Sequence, residues 1–148
     1  MADNTITQEE IENLLKMIKE SLVASISFPN KGKKESFEVK SISSRDMFDI
    51  HIYRGAINDN KMSIAAIIEK NHIPLLELHI NPSNKHYNLD GTVFVGSHWH
   101  IYSEKFGRSL IIPATDIEDD SFVQKTVLFL DKFNVIKKPD IQVQLELI

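Results

Sequence analysis

Polar and apolar positions alternate in this chain with two different periods. From Gln8 onward, Ile11, Leu14, Leu15, Ile18 and Leu22 recur every three or four residues, the spacing of one buried helix face. Thr7 followed by Glu10 is a capping-box signature, so the pattern predicts a helix over roughly residues 8–24. After the basic, turn-rich Pro29-Asn30-Lys31-Gly32-Lys33-Lys34 the period shortens to two. Phe37 and Val39 alternate with Glu38 and Lys40. Phe48, Ile50 and Ile52 alternate with Asp49, His51 and Tyr53. Both stretches read as strands with one apolar face, and Met62 to Glu69 and Leu75 to Ile80 read as two more.

Further along, Asn81 to Gly91 reads as a long polar loop ending in an Asp90-Gly91 turn. Val93-Phe94-Val95 and His98 to Glu104 then form a hairpin, or one strand bent at Gly96. Asp119-Asp120-Ser121 can cap a second helix that buries Phe122, Val123, Thr126, Val127, Leu130 and Phe133. Ile141, Val143 and Leu145 alternate with polar residues and suggest an edge strand. The expected fold is α+β in a single domain over residues 1–148. It has an N-terminal helix, an antiparallel sheet of about five or six strands, a C-terminal helix and a short edge strand.

Composition narrows the function more than the fold. A net charge of −4 argues against broad binding to duplex nucleic acid, which needs a basic surface. The absence of cysteine excludes disulfides, thiol nucleophiles and thiolate metal sites, leaving His, Asp and Glu to hold any metal. The polar, acidic start has no basic segment before an apolar core, and no apolar run reaches the roughly 20 residues of a membrane span. The expected location is therefore cytoplasmic, with no membrane partner.

Candidate chemistry concentrates in His98-Trp99-His100-Ile101-Tyr102-Ser103-Glu104. On a strand, His98, His100, Tyr102 and Glu104 point to one face, with Trp99 and Ile101 on the core side. The preceding loop can bring His86, Asn88 and Asp90 over them. Three histidines, His86, His98 and His100, form a feasible shell for a divalent metal, Zn or Mn. Alternatively His98 and His100 act as a catalytic base and acid pair of the kind phosphodiester cleavage needs. The plain alternative is a solvated polar stripe with no ligand. Arg54, before Gly55 at a strand end, is a candidate for reading phosphate. His79 shares a strand face with Glu77, and a simple Glu–His contact accounts for it. The His-x-His and Glu104 spacing also resembles the first metal motif of cupins. Gly107 falls too early for that motif and no second one follows.

The loop His86-Tyr87-Asn88-Leu89-Asp90-Gly91, followed by His98-Trp99-His100-Ile101-Tyr102, resembles an uncharacterised family of small bacterial and prophage proteins. That family carries a His-x-Asn-Pro-Asp-Gly loop and then a His-x-His-Ile-Tyr strand. The likeness extends to Arg45-Asp46, Arg54-Gly55 and Phe133-Asn134-Val135. The chain departs from it at Leu89 and Ser97, where proline is usual. The resemblance implies that Arg54, His86, Asp90, His98 and His100 belong to one site in a phage or mobile-element setting. Asn88, Tyr102 and Glu104 complete the candidate binding set. Two functions follow as expectations. One is a nucleotide- or phosphodiester-directed protein acting on a nucleotide or short nucleic acid. The other is a non-catalytic inhibitor or nucleotide sponge that binds a host protein, with homo-oligomerisation compatible with either.

Overall fold

In the computed structural model, the structure describes residues 5–57, 60–81, 86–88, 90–117 and 120–143, and the side chain of His86 lies outside that description. The chain opens with α1 (Gln8–Lys16), β1 (Lys19–Ser21), β2 (Ser25–Phe28), β3 (Lys34–Ser41) and β4 (Met47–Arg54). It continues through β5 (Met62–Ile68), β6 (Pro74–Ile80), β7 (His86–Tyr87), β8 (Val93–Phe94) and β9 (His98–Ile101). The last elements are β10 (Ile111–Pro113), a 3-10 turn at Thr115–Ile117, α2 (Phe122–Lys132), β11 (Val135–Lys137) and β12 (Asp140–Val143).

Eight strands form the main sheet in the order β10-β9-β6-β5-β4-β3-β1-β11. All neighbours are antiparallel except β1 and β11. The sheet is larger than the five or six strands expected. The additions, β1, β10 and β11, are three residues each, too short to leave a periodic trace. Two further pairs stand apart, β12 parallel to β2 and β7 antiparallel to β8. The supposed loop before the histidines is thus partly a small hairpin, and β8 pairs with β7 rather than with β9. The tail strand pairs with β2, and Leu145 falls outside the described residues.

One face of the sheet makes the core. Phe37, Val39, Phe48, Ile50, Ile52, Ile64, Leu76, Leu78 and Trp99 join Ile11 and Leu14 of α1, Phe129 and Leu130 of α2 and its C-cap Phe133 in one buried cluster. Trp99 stacks on Phe129 with ring centroids 6.0 Å apart, and Phe133 meets Phe48 edge-on at 5.2 Å.

Helix α1 starts where expected, with the Thr7 hydroxyl accepting the Glu10 amide at 3.1 Å. It stops at Lys16, well short of residue 24. The cause is the buried Lys19, whose Nζ donates to the carbonyls of Leu15, Met17 and Phe133 at 3.3, 2.9 and 2.8 Å. Asn134 Nδ2 takes the Lys16 carbonyl at 2.9 Å. These donors satisfy the last carbonyls of α1 and release the chain into β1, leaving Ile18 and Leu22 exposed. The helical spacing of those two residues is coincidental. Helix α2 has its expected cap, with the Ser121 hydroxyl accepting the Gln124 amide at 3.1 Å. No helix among the described residues is long and apolar enough to cross a membrane.

Candidate functional site

The site lies on the sheet face opposite the core. Strand β9 runs between β6 and β10, and its register places His98 opposite His79 and His100 opposite Glu77. Alternation puts Trp99 on the core side, as expected. The histidines, however, are not open to solvent. His98 is 0 % exposed, and His100 and Glu77 are 6 % exposed.

Two local devices cover them. Gly96, at φ 124°, turns the chain between β8 and β9, and its carbonyl lies 2.9 Å from His98 Nδ1. Phe94 of β8 brings its ring to 6.2 Å from that of His98. After β9 the chain folds back through reciprocal Ser103–Gly107 backbone bonds of 3.1 and 2.8 Å, with Gly107 at φ 58°. This return carries the Arg108 carbonyl to 2.7 Å from His100 Nδ1.

These contacts fix a donor at one nitrogen of each ring. A carbonyl can only accept, so both Nδ1 atoms carry hydrogen. Each neutral ring then has its lone pair on Nε2, and the two Nε2 atoms face one another at 3.1 Å. A hydrogen bond between the two needs one ring to carry a second proton, and a cation held by both lone pairs is the other way to join them. The His79 ring stacks on His98 at 5.3 Å and meets His100 edge-on at 4.9 Å.

Below the rings, Glu77 accepts a fork of two 2.6 Å hydrogen bonds from Nε and Nη2 of Arg108. His79 Nε2 lies 3.5 Å from Glu77 Oε1, and this buried nitrogen makes no hydrogen bond among the described residues. Burial pushes Glu77 up, but the His79 and Arg108 contacts outweigh it and hold its carboxyl below the usual range. Burial also moves His100 below an ordinary histidine, against the Arg108 carbonyl and Glu77, which favour its charged form. A shallow cavity of about 360 Å³ opens over the cluster, lined by His79, Tyr87, His100, Arg108 and Ser109.

The structure divides the residues expected to act together. His98 and His100 lie side by side. Tyr87, next to His86 in the chain, lines the cavity, and Phe94, the register partner of His86, touches His98. Arg54 sits elsewhere. It follows Ile52 in alternation on the core face of β4, where it donates to the Pro29 carbonyl at 3.3 Å and faces the rings of Phe28 and Phe122. Glu104 is removed because β9 ends at Ile101. Its carboxylate accepts the Gln8 amide at 2.8 Å at the start of α1. Tyr102 packs against the core cluster. Asp90 accepts the amide and hydroxyl of Thr92 at 3.0 and 2.7 Å, bonds that hold its carboxyl below the usual range and stabilise the hairpin turn. Asn88 braces the same turn through Thr92.

His79, Glu77 and Arg108 were not among the expected site residues. The pairing of β6 with β9 brings in His79 and Glu77, whose spacing two apart on a strand carried a partial signal, and the return after β9 brings in Arg108. Among the described residues, the group of three acidic or imidazole ligands converging within 4.8 Å is Glu38, Asp49 and Glu69, away from the cavity. Glu69 is pushed up there by its hydrogen bond with Glu38.

A family profile matches residues 6–135, nearly the whole chain. The chain belongs to a family of unknown function, DUF6978. The match agrees with the resemblance to an uncharacterised family. No curated protein and no solved structure matches the chain.

Proposed function

We propose that this DUF6978 protein is nucleotide- or phosphodiester-directed and holds a divalent metal between His98 and His100. The observation that carries the reading is the pair of Nε2 atoms 3.1 Å apart, with both Nδ1 atoms engaged by carbonyls. Metal-binding histidines characteristically donate their other ring N–H to a carbonyl or carboxylate, which fixes the ligating nitrogen. For a tetrahedral ion with bonds of roughly 2.0–2.1 Å, adjacent ligand nitrogens stand roughly 3.3 Å apart. The observed spacing suits that arrangement. Imidazole donors favour zinc over manganese.

The geometry favours metal binding over two independent proton carriers. An acid and a base acting on one phosphorus must each reach the substrate. Here the two Nε2 atoms face each other, and His100, not His98, lines the cavity. When bound, such a metal supplies Lewis-acid polarisation of a phosphoryl oxygen or activates water. The chain's own part is to hold His98 and His100 in one tautomer and to keep Glu77 charged beneath them.

Elemental analysis of the purified, untagged protein, with a chelator control, tests this directly. One zinc per chain is expected, absent from the His98→Asn/His100→Asn double variant together with turnover of short phosphodiesters or cyclic nucleotides. Retention of metal by the double variant, or no metal in the native chain, removes the reading. The second reading, a non-catalytic inhibitor that binds a host protein, draws support from the net charge of −4, which complements a basic partner. It predicts capture of such a partner at moderate salt without turnover of any phosphodiester.

A further inference from the structure

We propose that Arg108 is a preformed receptor for the terminal phosphate of a single nucleotide, whose base lies against Tyr87. This rests on the reading of the cavity as nucleotide-directed, and it names the ligand class. A guanidinium has two edges, each able to hold two oxygens. Glu77 occupies the edge made by Nε and Nη2. The outer edge, with Nη1, makes no hydrogen bond among the described residues. The Arg108 side chain is 54 % exposed while that of Glu77 is 8 % exposed, so the carboxylate anchors the fork from beneath and the outer edge faces the opening. An anchored fork loses little freedom when an anion arrives.

The rest of the cavity selects the anion. A terminal phosphate has three non-bridging oxygens, enough to fill the outer edge of Arg108 and leave one for the Ser109 hydroxyl or the histidine centre. An internal diester has two. A volume of about 360 Å³ suits one nucleotide rather than a long strand. The net charge of −4 opposes tracking of an extended backbone. Tyr87, 70 % exposed on the cavity wall, offers an aromatic face for a base.

Calorimetric titration of the metal-loaded protein with AMP, adenosine, inorganic phosphate and a dinucleotide with or without a 5′-phosphate tests the proposal. AMP is expected to bind roughly tenfold or more tighter than adenosine, because only AMP reaches the fork. Binding of AMP and of the phosphorylated dinucleotide marks the end of a strand as the ligand. Binding of AMP alone marks a free nucleotide. Either result supports the phosphate receptor. Arg108→Gln is expected to remove the preference for AMP, and Arg108→Lys to restore it in part. Tyr87→Ala is expected to weaken AMP and leave inorganic phosphate unchanged. Equal affinity for adenosine and AMP, or unchanged AMP binding in Arg108→Gln, overturns the proposal. Metal content separates the two readings. Arg108→Gln keeps the backbone carbonyl that holds His100, so the variant should retain metal. Metal retained with AMP binding unchanged sinks the receptor alone. Arg108-dependent AMP binding in a metal-free native protein sinks the metal reading alone.

Discussion

Two corners of the molecule bury polar side chains, and they do so in different ways. At one, the Lys19 ammonium meets three carbonyls and lies 3.8 Å from the centroid of the Phe133 ring. Every proton has an acceptor, and the acceptors are carbonyls at the ends of both helices. At the other, His98 and His100 are anchored through Nδ1 and turn their second nitrogens toward each other beside an open cavity. A saturated buried charge is a structural rivet. A buried pair anchored on one side and convergent on the other is the arrangement the proposed metal reading rests on. The contrast teaches that burial alone does not tell the two corners apart, whereas the direction of their donors and acceptors does.

The Lys19 corner provides the sharpest way to break this comparison. Lys19→Met should lower stability by about 3 kcal/mol, because several buried carbonyls lose their donor together. Urea unfolding measures it, and a loss below about 1 kcal/mol would remove the rivet. Metal content should not change.

The pH response of the same residue has a definite sign. Burial lowers Lys19 from 10.5 to about 7, so between those values the unfolded chain holds a proton that the folded chain has released. Stability attributable to Lys19 therefore rises with pH from about 7 toward 10.5 and is flat below that window. Within the window the two states differ by close to one proton, so the slope approaches its limit of about 1.4 kcal/mol per pH unit. The slope should vanish in Lys19→Met.

At the histidine corner the order of effects reverses. The His98→Asn/His100→Asn variant should lose its metal entirely, whereas the metal-free variant should lose about 1–2 kcal/mol against the metal-free native protein. That cost exceeds what an exposed strand face would carry, because His98 is fully buried. A metal-free loss as large as that of Lys19→Met would make the histidines a second rivet.

Two smaller changes test residues set apart from the pair. Glu104→Ala should cost about 1 kcal/mol as a lost helix-start contact and leave metal binding intact. Asp90→Ala should stay within about 0.5 kcal/mol, since its turn is exposed. Loss of metal in either variant would return that residue to the site.

Strands β3 to β5 were legible because each alternates over seven or eight residues, and β6 because its short apolar run stands between Pro74 and the polar stretch from Asn81. Thr7 and Ser121 announced both helix starts, since a cap is local chemistry. The end of α1 was not legible, because Lys19 and Asn134 stop it and Asn134 lies more than a hundred residues away. The same distinction holds at the site. His98 and His100 share a face by simple alternation. The arrival of His79 and Glu77 depends on register between strands, which a single chain does not spell out. Arg54 was misplaced for a local reason, since it follows Ile52 onto the core face.

The parallel pairing of β1 with β11 bears on the order of assembly. Lys19 cannot gain its neighbour Val135, nor its acceptor Phe133, until more than a hundred further residues have left the ribosome. β2 likewise waits for β12, which begins at Asp140. The antiparallel meander from β3 to β6 can condense first from nearby contacts, leaving β1 and β2 as open edges during synthesis. A chain cut short before β11 would expose those edges permanently, with aggregation as its predictable fate.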